Sequence, residues 1–525
     1  MLITTVAARD LPAMAGNRLY LDYIAGVSTA SAFYTHSPMD FAVALASRRS
    51  YPYPRREVSR LLASYNANLG AHTHAMASIE ALLDTDTFCV IAGNQVGFLG
   101  GPVYTAYKII TTIRLAARLQ AELGVRCVPM FWLASEDHDF NEINHIYLLK
   151  SDGEVGQIKF SWDKEGNPVS DLPLSEDVRR AYQEYFGSLL PDSYLPQVEP
   201  LFTPRLSESY CTWHARLWSQ LFSRHGLVLV EPWVIRPLGG GFLRFALEHT
   251  GEIGRRLADI AQRLAAAGYS PALTSERAGY MYTFDLSGRR VRVEEPQEHL
   301  TEAEAHPERY STDAVLRPLF VDAILPVVAD VLGAGEIAYQ AMLKPLHELF
   351  AVPQPLLFPR KHYTVVAKAE ADLIARYGTS VADILCGRFD LDAAFRNLMP
   401  ADELALFVSV RHHVEEALTP LRPYVESVDP GLGQTWAGTL ANAVRGLDKL
   451  EERTLKARLS QLGLSKQHLQ ALRNALLPRG RLQERVLPLP HFLARYGLGF
   501  LKAFFSAGHL EDFSHHILTL EEGDV

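Results

Sequence analysis

Cysteine is scarce in this sequence: Cys89, Cys127, Cys211 and Cys386 are spread over 525 positions with no CxxC pair among them. That spacing excludes a disulfide scaffold and a zinc ribbon. Cys89 and Cys127 lie inside apolar runs, where a structural thiol is expected, because a reactive thiolate needs an exposed, electropositive setting. Positive charge is also short. Lys and Arg number 51 against 60 Asp and Glu, a formal charge of -9, which argues against the basic footprint of a general nucleic-acid binder. No long apolar run is present: the most hydrophobic stretch, Leu319 to Gly333, is interrupted by Asp322 and Asp330 and is too short to span a bilayer. Residues Met1 to Tyr23 have no basic segment leading a clean apolar core, so they do not read as a secretory signal. No internal repeat or low-complexity tract occurs. What remains is 48% apolar content, enough for a large buried core. A cytoplasmic protein with no membrane or nucleic-acid partner is expected.

The first 85 residues look mostly helical, with the Tyr51-Pro-Tyr-Pro-Arg-Arg turn opening a helix toward Asn68. Phe88 to Ala92 then reads as a short buried strand, followed by the Gly-rich loop Gly93 to Pro102. Apolar residues at Val103, Ala106, Ile110, Ile113 and Ala117 mark one face of a helix running to about Leu123. Gly124 ends it, and Cys127 to Ala134 reads as a second buried strand, completing a parallel β-loop-α-β unit. Further strands are expected at Leu227–Glu231, in a hairpin of Met281–Phe284 with Val291–Val293, and at Pro355–Phe358, with helices at Phe242–Ala267 and Ile337–Phe350, the second kinked at Pro345. This alternation predicts an α/β body with insertions. From about Ala367 strands disappear, and Ala401–Leu418 and Leu432–Leu462 read as an antiparallel helical pair, either a coiled-coil arm for assembly or a helical subdomain packed on its own chain. The expected division is 1–366, a Rossmann-like catalytic core with insertions; 367–481, an α-helical coiled-coil domain; and 482–525, a segment returning to the core.

Three constellations could carry chemistry. Gly93, Gly97, Gly100 and Gly101 lie between a strand end and a helix N-terminus, where backbone N–H groups and the helix dipole can hold an anion. The loop fits neither the Walker nor the dinucleotide fingerprint, and a tight turn requiring positive φ is the alternative. Tyr104 and Lys108, four residues apart, share one helix face that either lines a pocket or meets solvent. The second strand ends in Ser135 to His145, which crowds Glu136, Asp137, His138, Asp139, Glu142 and His145 at the carboxyl edge of a parallel sheet. Such a cluster could bind a metal or orient an amine and accept its proton. It could equally be a solvated acidic turn capping the next helix through Asp139 or Asn141. The two histidines lack the HExxH spacing of a zinc protease. In the third, Gly333 to Lys344, the residues Glu336, Gln340 and Lys344 repeat every four positions on one polar face, a pocket wall or a salt-bridge ladder.

Three of these segments, Val90 to Lys108, Pro129 to His145 and Leu316 through Gly335-Glu-Ile-Ala-Tyr to Phe358-Pro-Arg360, together resemble the bacillithiol biosynthesis cysteine-adding enzyme family. A fourth block, Leu482 to Val486, also fits. The resemblance implies a Rossmann-like, nucleotidyltransferase-type core similar to class I aminoacyl-tRNA synthetases, connecting-peptide insertions, and a coiled-coil domain that supports a homodimer. Two positions depart from the expected pattern: Gly93-Asn94-Gln95 stands for Gly-Gln-Gln, and Phe98 for leucine. No His-Ile-Gly-His segment and no Lys-Met-Ser-Lys-Ser loop occurs, and Pro359-Arg-Lys361 is only a basic segment after a strand.

The resemblance implies a ligase that attaches L-cysteine to the glucosamine amine of glucosaminyl malate, the last step of bacillithiol biosynthesis, with ATP as the implied activating nucleotide and no metal. In that reading the Gly93 to Gly101 backbone, Asn94, Gln95, Tyr104 and Lys108 hold anionic charge. Asp137 and His138 orient and deprotonate the attacking amine, although the acidic groups could equally bind the cysteine ammonium. Glu336, Tyr339 and Lys344 form the opposite wall, and Glu136, Asp139, Asn144 and His145 complete the site. Asp137, His138 and Lys108 are expected to face one cavity. Lys108, read as an ammonium waiting for its anion, is expected to stabilise the empty protein when removed. Two other classes stay open: a non-catalytic nucleotide-binding dimeric partner of the same pathway, and a metal-assisted hydrolase built on Glu136 to His145.

Overall fold

The computed structural model describes residues 1–521 except 151, 164–165, 190–193, 206–207, 274–279 and 391–399. They fall into two compact units, one drawn from 1–151, 155–365 and 478–525, the other from 152–154 and 366–477. Residues 522–525 of the expected returning segment lie outside the described residues.

The first unit is built on five parallel strands: β1 (Thr87–Asn94), β2 (Arg126–Leu133), β3 (Val228–Val230), β4 (Val327–Leu332) and β5 (Leu356–Pro359). Their order is β5-β4-β1-β2-β3. A parallel sheet covered on both faces needs near-continuous apolar strands, and β1 is buried from Thr87 to Ala92. Helix α1 (Tyr104–Leu123) makes the crossover from β1 to β2 and ends where Gly124 takes φ +66. The core around the sheet joins Phe88, Val90, Ile109, Phe131, Trp218, Leu229, Val328 and Phe358. Because β1, β2 and β3 step one way and β4 and β5 the other, the strand order reverses between β1 and β4. In doubly wound sheets the crevice for ligands opens at the carboxyl ends of such a pair.

The ends of the expected strands lie within two residues of those observed, and the hairpin is Met281–Phe284 with Arg290–Arg292. Two expectations need correction. The helix expected over Phe242–Ala267 is two, Gly240–Glu248 and Thr250–Ala266, broken at His249. The kinked helix at Ile337–Phe350 is also two, α3 (Ala334–Gln340) and α4 (Lys344–Phe350), because Pro345 has no N–H to continue a helix and suits the first turn of a new one. The apolar run Leu319–Gly333 divides into the end of helix α2 (Leu316–Ile324) and the strand β4. The mostly helical start opens with a strand, Leu2–Val6, which pairs antiparallel with His515–Leu520 beside His362–Ala367.

In the second unit, helix α5 (Ala401–Leu418) runs antiparallel to α6 (Leu432–Gln461). Arg411 reaches Asp448 at 2.8 Å and Glu451 at 2.7 Å, Arg458 reaches Glu403 at 3.2 Å, and Trp436 Nε1 donates to Leu418 O. A small core of Tyr377, Leu455, Leu459, Leu464 and Leu469 closes one end.

Candidate functional site

A cavity of about 420 Å³ opens at the switch point. Ile91 to Gln95 of β1 and its exit line one side, Asp330 and Leu332 of β4 the other, with Trp132, Arg317, Asp322, Glu336, Tyr339 and Gln340 around them. Of the residues expected at a ligand, the lining holds Gly93, Asn94, Gln95, Glu336 and Tyr339.

Lys108 is 1% exposed, and its Nζ donates to Gly93 O at 2.6 Å and to Glu336 Oε1 at 2.8 Å. Glu336 Oε2 also accepts from Gly333 N at 2.6 Å, which caps α3. Lys108 therefore ties the β1 exit to the start of α3. It is neither the solvated lysine of one reading nor the waiting ammonium of the other. Asn94 is oriented by α1: its Oδ1 accepts from the Tyr104 hydroxyl at 3.0 Å and its Nδ2 donates to Thr105 Oγ1 at 2.9 Å. Tyr104 in turn lies under the Arg360 guanidinium, 4.9 Å from the ring centre.

The rest of the Gly loop does not reach this cavity. Gly97 and Gly100 line a small gap with Tyr210, Trp213 and His214, and His214 Nδ1 lies 3.0 Å from Gly97 O. A Cβ on Gly97 would sit 2.9 Å from Gly101 Cα, and Gly100 takes φ +90 against Trp218, so packing and turn geometry account for these glycines. Val103 N already donates to Leu487 O. The expected anion cradle at Gly97, Gly100 and Gly101 is corrected to a packed turn.

Segment 135–145 distributes its groups. Glu136 is buried in an ion pair with Arg236. Asp137 folds onto its own turn: Oδ1 accepts from His138 N at 2.8 Å and Asp139 N at 3.4 Å, while Oδ2 accepts from Gln95 Nε2 at 3.0 Å. Gln95 Nε2 also donates to Glu142 at 2.6 Å. His138 faces a second, wider cavity of about 950 Å³, shared with Asp139, Asn144, Trp162, Asn167 and Arg289. Its Nδ1 lies 3.1 Å from Arg290 Nη1. Burial first, then the Arg290 charge, lowers its pKa from the usual value, so the ring is neutral near pH 7, with Nδ1 accepting from Arg290. His145 sits in the strand His145–Leu149, 3.3 Å from Asn144 Oδ1 through Nδ1. Asp139 precedes the short helix Phe140–Ile143 without a side-chain cap bond.

Asp137, His138 and Lys108 thus do not share one cavity: Lys108 turns inward to Glu336, Asp137 holds its own turn and Gln95, and His138 opens to the second cavity. Lys344 is also displaced. The break at 341–343 turns it away from Glu336, and its Nζ donates to Ala32 O at 3.1 Å and Tyr34 O at 3.0 Å. Among the described residues no three His, Cys, Asp or Glu side chains are grouped as a metal site.

Sequence reasoning missed three charged residues of the first cavity: Arg317, Asp322 and Asp330. The signal was present as two aspartates interrupting the most apolar run of the chain, where they had counted only against a membrane span.

Residues 4–361 match the model of the bacillithiol biosynthesis BshC N-terminal Rossmann-like domain, and residues 363–520 that of the BshC C-terminal coiled-coil domain. A Geobacillus kaustophilus protein named "Putative cysteine ligase BshC" is 30% identical over 526 residues, spanning 94% of this chain and 96% of the relative. Proteins of the same name from Geobacillus thermodenitrificans and Koribacter versatilis are each 28% identical, spanning 98% and 92% of this chain and 99% and 93% of their own lengths. With both domains matched in order over a switch-point cavity, this chain belongs to the BshC family of bacillithiol biosynthesis.

Proposed function

We propose that this cysteine ligase joins the carboxyl group of L-cysteine to the glucosamine amine of glucosaminyl malate, completing bacillithiol in the cytoplasm. The observation that carries this reading is the switch-point cavity of about 420 Å³, whose lining sets Arg317 and three carboxylates beside apolar Ile91, Trp132 and Leu332, a chemistry suited to a small zwitterion. Gln95 and Asp137 link this cavity to the turn carrying His138, and the neutral His138 imidazole serves as the base, its Nδ1 giving up the Arg290 hydrogen bond to take the proton from the attacking amine. Asp137 acts as a positioning residue by fixing the His138 and Asp139 backbone, and Lys108 does so by fixing Glu336.

Amide formation in water needs an activated carboxylate, and the resemblance implies ATP. The residues present do not form a triphosphate cradle: Gly97 and Gly100 face Trp213 and His214, Val103 N is engaged, and the charged groups lining the cavity are Asp322, Asp330 and Glu336 against Arg317 alone. Purified protein incubated with cysteine, glucosaminyl malate and candidate nucleotides should yield the amide by mass spectrometry. Its absence under every nucleotide would overturn the proposal.

Leu406, Val408, Leu421, Tyr424 and Val428 expose large apolar side chains on the helices of the second unit. We propose that they meet a second copy of the chain in a homodimer. Light scattering at high micromolar concentration should report the dimer, and a monomer there counts against it. Among the described residues no helix is long and apolar enough to cross a membrane.

A further inference from the structure

Asp330 lies in a central strand of a parallel sheet, flanked in register by Ile91 on β1 and Leu357 on β5. A carboxylate there is out of keeping with a strand covered on both faces. It shares the β4 face of Leu332, and both line the switch-point cavity. Asp322, from α2, lines the same cavity and is 4% exposed. Among the described residues neither carboxylate accepts a hydrogen bond.

Their surroundings do not supply the missing donors. His347 Nε2 is 3.8 Å from Asp322 Oδ2, too far for a hydrogen bond, and burial holds that imidazole neutral, with its pKa lowered to about 3. Arg48 Nη2 donates to the backbone carbonyls of Asp322 and Leu325, and Nη1 to that of Pro353. Lys108, the cation on the β1 side, is bound to Glu336. Other buried carboxylates in this unit each accept at least one hydrogen bond: Glu136 from Arg236, Glu208 from Arg216, Glu484 from Arg360, Glu231 from the Tyr65 hydroxyl, and Asp313 from the N–H groups of Val315 and Leu316. Burial pushes the Asp322 carboxyl up to about 7 and holds Asp330 well above the usual range, so the empty pair is relieved by retaining protons. Two cavity-facing carboxylates without donors are matched by a cation brought in from outside.

We infer that Asp322 and Asp330 anchor the protonated α-amine of the amino-acid substrate, and that Arg317, which lines the same cavity, faces its carboxylate. This rests on reading the chain as a cysteine ligase, and it adds a reason for the arrangement. An ammonium held by carboxylates has no free lone pair, so it cannot attack the activated carboxyl group of another cysteine, and only the amino-sugar amine reacts.

The test is calorimetric binding to the full chain of L-cysteine, cysteamine, which keeps the ammonium and thiol without the carboxylate, and 3-mercaptopropionate, which lacks the ammonium. Asp330→Asn and Asp322→Asn should each weaken cysteine and cysteamine by about tenfold or more, the scale of a lost charge-assisted hydrogen bond, and leave 3-mercaptopropionate within about twofold. Thermal melting identifies a variant that fails to fold, and Asp330→Asn carries the test if Asp322→Asn does. Equal weakening of all three ligands, or unchanged cysteine affinity in a folded Asp330→Asn that still makes product, overturns the anchor and leaves the ligase reading standing. A wild-type chain that neither binds cysteine nor forms the amide overturns both.

Discussion

On the β1 side of the cavity Lys108 is 1% exposed, with its ammonium committed to Gly93 O and Glu336. On the β4 side Asp322 and Asp330 meet no hydrogen-bond donor among the described residues. Both sides bury charge, at opposite states of completion. A buried ion that is fully paired holds pieces of backbone together. One left incomplete at a cavity wall gains its partner only when a ligand arrives. The Arg360–Glu484 pair is the extreme of the first kind: Glu484 also accepts from His362 Nδ1 at 2.9 Å and Tyr363 N at 2.9 Å.

The contrast is broken hardest at Glu484. Glu484→Gln leaves Arg360 buried without its anion and should cost about 3–5 kcal/mol of stability, read from urea unfolding. Recovery of most of that loss in the double variant with Arg360→Met would confirm that the penalty belongs to the orphaned guanidinium. Acid is the next lever. Burial lowers His214, His362 and His491 to about 4 and His515 to about 3. Each is neutral when folded but takes a proton when unfolded below about 6.5, so stability is lost as pH falls from there toward the folded values. By pH 5 each costs up to about 2 kcal/mol, and melting temperature should fall steadily between pH 7 and pH 5.

On the chemical side of the comparison, His138→Ala should reduce turnover roughly a hundredfold, about 2.7 kcal/mol of barrier, with melting nearly unchanged because the ring is half exposed. Normal turnover would remove His138 as the base. The smallest effect is expected at Lys108→Met, which should lower stability by about 1–2 kcal/mol by chemical denaturation. Glu336, with its side chain 48% exposed, can rehydrate when left alone. This reverses the sign expected from sequence, where removing Lys108 was to stabilise the empty protein, because the structure supplies its anion from the same chain.

The β1-α1-β2 unit was legible because its signals agree: an unbroken buried strand, a glycine exit, a helix-period stripe and a second strand. The place of β4 beside β1 was not, since strand order is set by packing that no local pattern records. β4 itself was hidden because Asp322 and Asp330 divide one apolar run that the fold cuts into a helix and a strand. The Gly loop was read for what its N–H groups could bind. The loop's own carbonyls take the Gly97, Gly100 and Gly101 N–H groups, and Leu487 O, nearly four hundred positions away, takes that of Val103. Lys344 was misplaced by a single break: a four-residue repeat implies one face only while the helix continues, and α3 stops at Gln340. The family motifs pointed to the sheet edge at which the cavity opens, but not to which charges on it are already satisfied.

The antiparallel pairing of Leu2–Val6 with His515–Leu520 sets a timetable for synthesis. Residues 2–6 can form their ladder only after residues 515–520 have been made, and the Arg360–Glu484 contact must wait almost as long. Until then an early strand waits with an open edge, the kind of surface that pairs with the wrong neighbour. Nascent chains should therefore need shielding until residue 520 has emerged. A circular permutant that links residue 2 to residue 520 should bring the two strands together early and gain in folding rate what it leaves unchanged in architecture.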